Sequence, residues 1–242
     1  MGVGFLILRD LRIKIFADGA DAASMIALCE NPLIEGFTTN PTMMRADGVR
    51  YYESFARTVL DKIGKRPISF EVFGDDEIEM ERQARKIAAW PGNVYVKIPV
   101  TNTKAESTGK LVRRLAGDGI RVNVTAMMTL EQVAGVRDAV GNSVPAYASL
   151  FAGRIADTGR DPVPLVRQAV DVLRDFPNIE LIWASPRELL NVFHAEGAGC
   201  HVITLTKELI AKLPLLGKSL DEFSLETVKM FYRDAADANL AL

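Results

Sequence analysis

The feature that most constrains the fold is an alternation of short β-branched apolar runs with longer amphipathic stretches along the whole chain. Such runs are typical of strands buried on both faces, and the stretches between them have helical periodicity. The runs lie at 12–17, 34–38, 68–73, 94–98, 121–125, 146–149, 180–184 and 201–204. The clearest helical stretches lie at 75–90, 103–117, 129–140 and 162–176. The pattern predicts a strand-helix unit that is repeated eight times.

Eight such units within 242 residues, with no shift in composition and no linker, favour one closed barrel over an open doubly wound sheet. The G-x-G-x-x-G fingerprint of dinucleotide-binding folds is absent after the first run, where Asp18-Gly19-Ala20-Asp21 stands instead. We therefore predict an α/β protein whose residues 1–242 form a single-domain (β/α)₈ TIM barrel.

A further helical stretch, at about 219–238, follows the eighth unit. In a barrel this extra C-terminal helix has no inner strand to cover, so we expect it to pack on a neighbouring subunit of a homo-oligomer. Its apolar side is formed by Phe223, Leu225, Val228, Met230 and Phe231, with Leu240 just beyond.

Composition argues against several other classes of protein. The net charge of −2 includes no basic block, so nucleic-acid binding is not expected. The apolar opening segment is too short to cross a membrane and does not read as a signal peptide. Cys29 and Cys200 are far apart, which is typical of free thiols in a reducing cytoplasm, and His194 and His201 are too few to predict a metal site.

Barrel enzymes carry their reactive groups at the C-terminal ends of the strands. The polar and charged side chains at these positions are therefore the candidate site residues. They are Asp18, Thr39, Asn40, Glu71, Lys97, Asn123, Thr125, Ser149, Arg154, Ser185 and Arg187.

Lys97 lies within a strand so apolar that its side chain is expected to point into the barrel lumen. A desolvated lysine loses its proton more readily and becomes a nucleophile toward a carbonyl carbon. Two other interpretations stay open: the lysine reaches solvent at the strand end, or it pairs with a buried carboxylate, for which Asp18 and Glu71 are the candidates.

Two carboxylates accompany this lysine. An enzyme that breaks carbon-carbon bonds through a Schiff base needs a proton acceptor for a sugar hydroxyl and a relay for the loss and gain of water. Asp18 and Glu71 can supply these roles, although Asp18 is also a reasonable N-cap for the first helix. Glu71 lies in the middle of an apolar strand, where burial is costly without a function or a cation.

Arg154 and Arg187 each follow a serine near the end of a predicted strand. Guanidinium groups bind phosphate bidentately, and loops after the late strands are frequent phosphate sites in barrels. Surface ion pairs with Asp157 or Glu188 are the alternative.

Five motifs in this order and spacing resemble the transaldolase family, especially its short bacterial branch, which includes the fructose-6-phosphate aldolases. The resemblance extends over nearly the whole chain from about Arg12 onward. The motifs are Asp18, Thr38-Thr39-Asn40-Pro41-Thr42, Val96-Lys97-Ile98-Pro99, Asn123-Val124-Thr125 and Phe151-Ala152-Gly153-Arg154-Ile155.

The resemblance implies a barrel enzyme with a Schiff-base lysine at Lys97 and an acid/base at Asp18. It also implies that Glu71 and Thr125 hold the catalytic water, while Asn40, next to Thr39, and Asn123 steady the lysine and the substrate hydroxyls. No cofactor is implied, and the resemblance points to pentamers that pair into decamers. The positions expected to contact the substrate and its phosphate are Ser149, Phe151, Arg154, Ser185 and Arg187.

Two positions separate the enzymes within this branch. The aldolases carry Gln and Tyr where this chain has Glu71 and Phe151, which resembles the transaldolases. The leading hypothesis is a transaldolase of the pentose phosphate pathway that transfers a dihydroxyacetone unit from fructose 6-phosphate or sedoheptulose 7-phosphate to an aldose phosphate. An aldolase that releases free dihydroxyacetone, and a catalytically silent barrel that binds sugar phosphates, remain as alternatives.

Overall fold

The computed structural model describes residues 10–238. The apolar opening segment and Leu240, both used in the sequence argument, lie outside this range. Contacts divide the chain into two compact units, one spanning Arg12–Ile210 and one that includes the residues from Ala211 onward.

The first unit is a closed barrel of eight parallel strands in sequence order. This arrangement confirms the predicted (β/α)₈ fold. The strands are β1 (Lys14–Asp18), β2 (Ile34–Thr38), β3 (Ile68–Glu71), β4 (Val94–Pro99), β5 (Val122–Met127), β6 (Ala146–Leu150), β7 (Ile179–Trp183) and β8 (Val202–Thr206).

Helices lie between the strands and after them. They are α1 (Ala22–Leu28), α2 (Pro41–Ala46), α3 (Tyr52–Leu60), α4 (Glu77–Ala88), α5 (Gly109–Gly117), α6 (Leu130–Val140), α7 (Ala152–Asp157), α8 (Pro162–Leu173), α9 (Leu190–Gly197) and α10 (Lys207–Ala211).

The helix predicted at 103–117 is shorter than expected, because α5 begins only at Gly109. The residues before it form a loop that is closed by an antiparallel bridge between Thr101 and Ser107. Inside the loop the Asn102 side chain accepts hydrogen bonds from two backbone amides, and Asp75 accepts from the backbone of Thr103 at 2.8 Å. Polar side chains here capture amides that a helix would otherwise use.

Strand register brings the predicted chemistry to one level of the barrel. Glu71 of β3 lies opposite Lys97 of β4, and Lys97 lies opposite Asn123 of β5. Side chains alternate along a strand, so residues two positions earlier share the lumen face. A buried apolar cluster includes the residues two positions before Asp18, Lys97 and Ser149, and its members are Phe16, Tyr95, Tyr147, Ile182, Ala184 and Val202.

The described part of the second unit contains a short 3₁₀ helix, Leu213–Leu215, and the long helix α11, Leu220–Asp237. Ser219 caps α11, which agrees closely with the predicted helix at 219–238. None of its residues is buried. Among the helices of residues 10–238, none has the length and apolar character needed to cross a membrane.

Candidate active site

A cavity of about 450 Å³ opens at the C-terminal ends of the strands. Ten of the predicted site residues line it, and Thr39 and Asn123 are buried directly behind its wall. The ten residues are Asp18, Asn40, Glu71, Lys97, Thr125, Ser149, Phe151, Arg154, Ser185 and Arg187.

Lys97 is a buried residue that lines this cavity. Its Nζ donates a hydrogen bond of 2.8 Å to the backbone oxygen of Thr39 and forms an ion pair of 3.0 Å with Glu71 Oε2. The two charged side chains are only 7% and 14% exposed. The lysine therefore points into the lumen as predicted, and it also pairs with one of the two carboxylates named as possible partners.

Asp18 lies at the end of β1, where two neighbours donate hydrogen bonds to its carboxylate. Thr38 Oγ1 donates to Oδ1 at 2.8 Å, and Asn40 Nδ2 donates to Oδ2 at 3.4 Å. Burial raises the pKa of Asp18, and the positive charge of Lys97 only partly offsets that effect. The alternative role as helix cap is wrong, because Asp21 caps α1 by accepting from the amides of Ala23 and Ser24.

Thr125 ends the lumen face of β5. Among residues 10–238 its hydroxyl is one of the few buried side-chain groups without a hydrogen-bond partner. An unpartnered buried hydroxyl is costly in a protein interior. Thr125 lines the same cavity as Lys97 and Glu71, so this donor is available to a molecule held beside them.

Hydrogen bonds hold the two asparagines in place around the cavity. Asn123 donates to Ser69 Oγ at 2.9 Å and accepts from Ser149 Oγ at 2.7 Å, so it links three strands. Asn40 caps α2 by accepting from the amide of Met43. Within the described residues, the hydrogen bond and ion pair of Lys97 come from Thr39 and Glu71 instead.

Arg154 and Arg187 line the side of the cavity formed after β6 and β7. The Arg154 guanidinium lies 5.6 Å from the centre of the Phe151 ring. Arg187 Nε donates to Asp157 Oδ1 at 3.0 Å, and its Nη2 pairs with the other oxygen of that carboxylate. The ion pair proposed as an alternative for Arg187 is therefore present, although Arg187 still borders the cavity.

The sequence prediction did not include the threonines of β8, which also line the cavity. Thr38 Oγ1 lies 2.6 Å from Thr204 Oγ1, and Thr204 and Thr206 of β8 both line the cavity. The period of two along β8 would have revealed both threonines, because they alternate with buried apolar residues.

The barrel and this cavity define an enzyme site centred on a lysine. Within the part of the chain that the structure describes, no three His, Cys, Asp or Glu side chains cluster closely enough to hold a metal ion. A lysine, two carboxylates and two arginines converge instead, which suits covalent chemistry on an anionic carbonyl compound.

Comparisons with known proteins agree with this class. The sequence model of the family described as "Transaldolase/Fructose-6-phosphate aldolase" matches residues 15–242. The chain is 34% identical over 215 residues to "Probable transaldolase 2" of Listeria monocytogenes, covering 87% of this chain and 94% of that protein. It is 36% identical over 217 residues to "Probable transaldolase" of Streptococcus pyogenes serotype M5, covering 87% and 96%.

A solved structure supports the fold alone. The 2,3-dimethylmalate lyase, a member of the PEP mutase/isocitrate lyase superfamily, superposes with a TM-score of 0.52 at 11% identity, covering 99% of this chain and 89% of that chain. The chain belongs to the transaldolase/fructose-6-phosphate aldolase family, as the five motifs indicated, and is an enzyme of the aldolase type.

Proposed function

We propose that this chain is a transaldolase that moves a dihydroxyacetone unit from a ketose phosphate to an aldose phosphate through a Schiff base on Lys97. The donor is fructose 6-phosphate or sedoheptulose 7-phosphate. One observation carries the proposal: the Lys97 amine lies 3.0 Å from the Glu71 carboxylate inside a cavity that Asp18 also lines.

The first half of the reaction forms the covalent adduct. Glu71 is the nearest carboxylate to the Lys97 ammonium and takes one of its protons, which frees the nitrogen lone pair. The amine then attacks the ketose carbonyl carbon to give a carbinolamine. Protonated Glu71 returns a proton to the departing hydroxyl, water leaves, and an imine forms on Lys97.

The second half breaks and remakes a carbon-carbon bond. Asp18 accepts the proton of the donor's C4 hydroxyl, the C3–C4 bond breaks, and its electrons move into the imine to give an enamine. The aldose phosphate departs, and the enamine carbon attacks the aldehyde of the acceptor. Asp18 returns its proton to the new hydroxyl, and water releases the product from Lys97. The raised pKa of Asp18 suits a group that gives and takes a proton in turn.

The other cavity residues are assigned to binding. The unpartnered hydroxyl of Thr125 supports a role in holding the water that enters and leaves beside Glu71. The cavity positions of Ser149, which donates to Asn123, and of Asn40 support roles in binding substrate hydroxyls. The two arginines, with Ser185, supply the positive side of the cavity for the phosphate.

Glu71 and Phe151 favour transfer over simple release of dihydroxyacetone, because the resembling aldolases carry Gln and Tyr at these positions. A fructose-6-phosphate aldolase remains the second candidate, since the family contains both activities by its description. A silent binding barrel has less support, because binding alone does not require a lysine buried against a carboxylate.

The experiment incubates the protein with fructose 6-phosphate, with and without erythrose 4-phosphate, and quantifies sedoheptulose 7-phosphate and free dihydroxyacetone. We expect transfer to dominate when the acceptor is present. Lys97→Ala should abolish both products. Lys14→Ala is the matched control, because Lys14 is also a strand lysine paired with a glutamate, at 2.7 Å from Glu180. Free dihydroxyacetone as the main product would identify a fructose-6-phosphate aldolase instead.

The proposed function also implies a cellular setting for the enzyme. We place it in the pentose phosphate pathway of the cytoplasm, since the relatives are named as transaldolases and both cysteines are free thiols. We also propose a homo-oligomer, a pentamer or decamer, in which α11 packs on a second copy. The support is that this helix buries none of its residues while Phe231 and Leu225 are more than half exposed.

A further inference from the structure

The guanidinium of Arg187 is held along one edge by a residue that does not line the cavity. Asp157, at the C-terminal end of α7, accepts from Nε at 3.0 Å and from Nη2 with its second oxygen. Asp157 is absent from the cavity wall, whereas Arg187 borders it. Within the described residues Nη1 makes no hydrogen bond, so the guanidinium keeps donors for another anion.

The backbone around Arg187 is fixed as well. The amide of Arg187 donates to Asn191 Oδ1 at 2.8 Å, and Asn191 is buried. Ser185, two residues earlier, adopts a φ of 58°, which is unfavourable for a side chain with a Cβ. A loop held in such a conformation must be stabilised by its surroundings.

Those surroundings are the start of α7. A Cβ on Gly153 would lie only 1.5 Å from the backbone oxygen of Ser185 and 3.3 Å from Arg187 Nε. The absent side chain therefore permits direct backbone contact between α7 and the loop after β7. The pair between Asp157 and Arg187 joins the same two elements one helical turn further along.

We propose that Asp157 is a positioning residue that orients Arg187 toward the substrate phosphate, so that selection of phosphorylated over unphosphorylated sugars depends on this carboxylate. The inference rests on the proposed function, because it assigns the phosphate to Arg187. A long side chain about half exposed to water loses much freedom on binding. A bidentate carboxylate fixes the plane of the Arg187 guanidinium before the substrate binds and leaves the other N–H donors for phosphate oxygens.

Competition is the opposite interpretation, in which Asp157 occupies Arg187 and a phosphate must displace it. The two interpretations predict opposite changes in phosphate affinity when Asp157 is removed. Removing a positioning carboxylate weakens phosphate binding, whereas removing a competing anion strengthens it, because local positive charge increases.

The experiment compares wild type with Asp157→Asn, Asp157→Ala and Arg187→Ala. Asp171→Asn is the matched control, because Asp171 forms a surface ion pair with Arg174 on a helix outside the cavity wall. Calorimetry measures the Kd of inorganic phosphate, and steady-state assays measure KM for fructose 6-phosphate and for fructose with one acceptor. Circular dichroism checks that each variant is folded.

For Asp157→Ala we expect the Kd of phosphate and the KM for fructose 6-phosphate to rise about fivefold, the scale of one well-formed exposed ion pair. The KM for fructose should change much less, Asp157→Asn should fall between wild type and Asp157→Ala, and the control should match wild type. Unchanged or tighter phosphate binding by Asp157→Ala would overturn the inference, and so would equal increases in KM for both sugars.

The phosphate measurement separates this inference from the proposed function. Phosphate binding can be measured without turnover. If the variants show the expected Kd values but the wild type transfers no carbon unit, the role of Asp157 stands and the proposed transaldolase activity is refuted. The opposite result is transfer activity together with a phosphate Kd that Arg187→Ala leaves unchanged. That result would support the transaldolase and remove the role of Asp157, because Arg187 would not contact the phosphate.

Discussion

Gly153→Ala should damage both stability and catalysis, because the new methyl group meets backbone rather than a movable side chain. The added Cβ would lie 1.5 Å from the Ser185 carbonyl oxygen, whereas real Cβ atoms keep at least about 3.0 Å from other heavy atoms. The loop after β7 must therefore move by about 1.5 Å relative to α7. That movement separates Arg187 from Asp157 and displaces Ser185 in the cavity wall.

Two magnitudes follow from this displacement. Forcing extra volume into a packed contact costs roughly 1–3 kcal/mol of unfolding free energy. A misplacement of about 1 Å in a substrate-positioning element can lower the rate by about a hundredfold. We therefore expect kcat/KM for fructose 6-phosphate to fall by one to two orders of magnitude, mainly because KM rises.

Urea unfolding and steady-state kinetics test this prediction beside Gly135→Ala. Gly135 is an exposed residue of α6 where a Cβ meets nothing within 4 Å, so the same change there should stabilise the protein by about 0.5–1 kcal/mol without loss of activity. If Gly153→Ala retained wild-type stability and wild-type KM, the close backbone contact would not position the phosphate side of the site.

Three further predictions concern other parts of the molecule. Glu71→Gln combined with Phe151→Tyr should raise free dihydroxyacetone relative to transfer, because an amide cannot accept the proton that a carboxylate takes; an unchanged product ratio argues against this switch. Burial lowers the pKa of His201 below 6.5, and its Nδ1 accepts from the amide of Leu181 at 3.0 Å. Below about pH 6.5 the His201 imidazole therefore binds a proton more readily in the unfolded chain than in the folded chain, so acidification should lower the stability of the protein. The melting temperature should fall between about pH 7.5 and pH 5.5, and it should fall less in His201→Asn. Phe231→Asp should shift the assembly toward smaller species in light scattering, whereas a monomeric wild type would contradict the oligomer.

The strands and the lysine could be predicted because their signals are local. Runs of buried apolar residues identify strands of a parallel sheet, and a single lysine in such a run has few places to point except the lumen. An ion pair between Lys97 and a buried carboxylate such as Glu71 could also be predicted, because few other side chains offset the cost of burying a negative charge. The family motifs then fixed the order of these residues along the barrel.

The errors came from competition that only the folded chain resolves. Thr103 reads as part of a helix, but the carboxylate of Asp75, far away in sequence, captures its amide. Asp18 and Asp21 are both possible helix caps from their positions, and only the path of the chain selects Asp21. The bond between Arg187 and Asp157 joins residues 30 positions apart, so no local pattern reveals which arginine is held.

Trapping the covalent intermediate tests whether Lys97 forms the Schiff base. Wild type and Lys97→Met are incubated with fructose 6-phosphate and borohydride, and the mass of the protein and of its proteolytic peptides is measured. We expect a reduced dihydroxyacetone adduct on the peptide that contains Lys97, and no adduct in the variant. An adduct on another lysine, or a wild type that turns over fructose 6-phosphate without forming any adduct, would contradict this expectation.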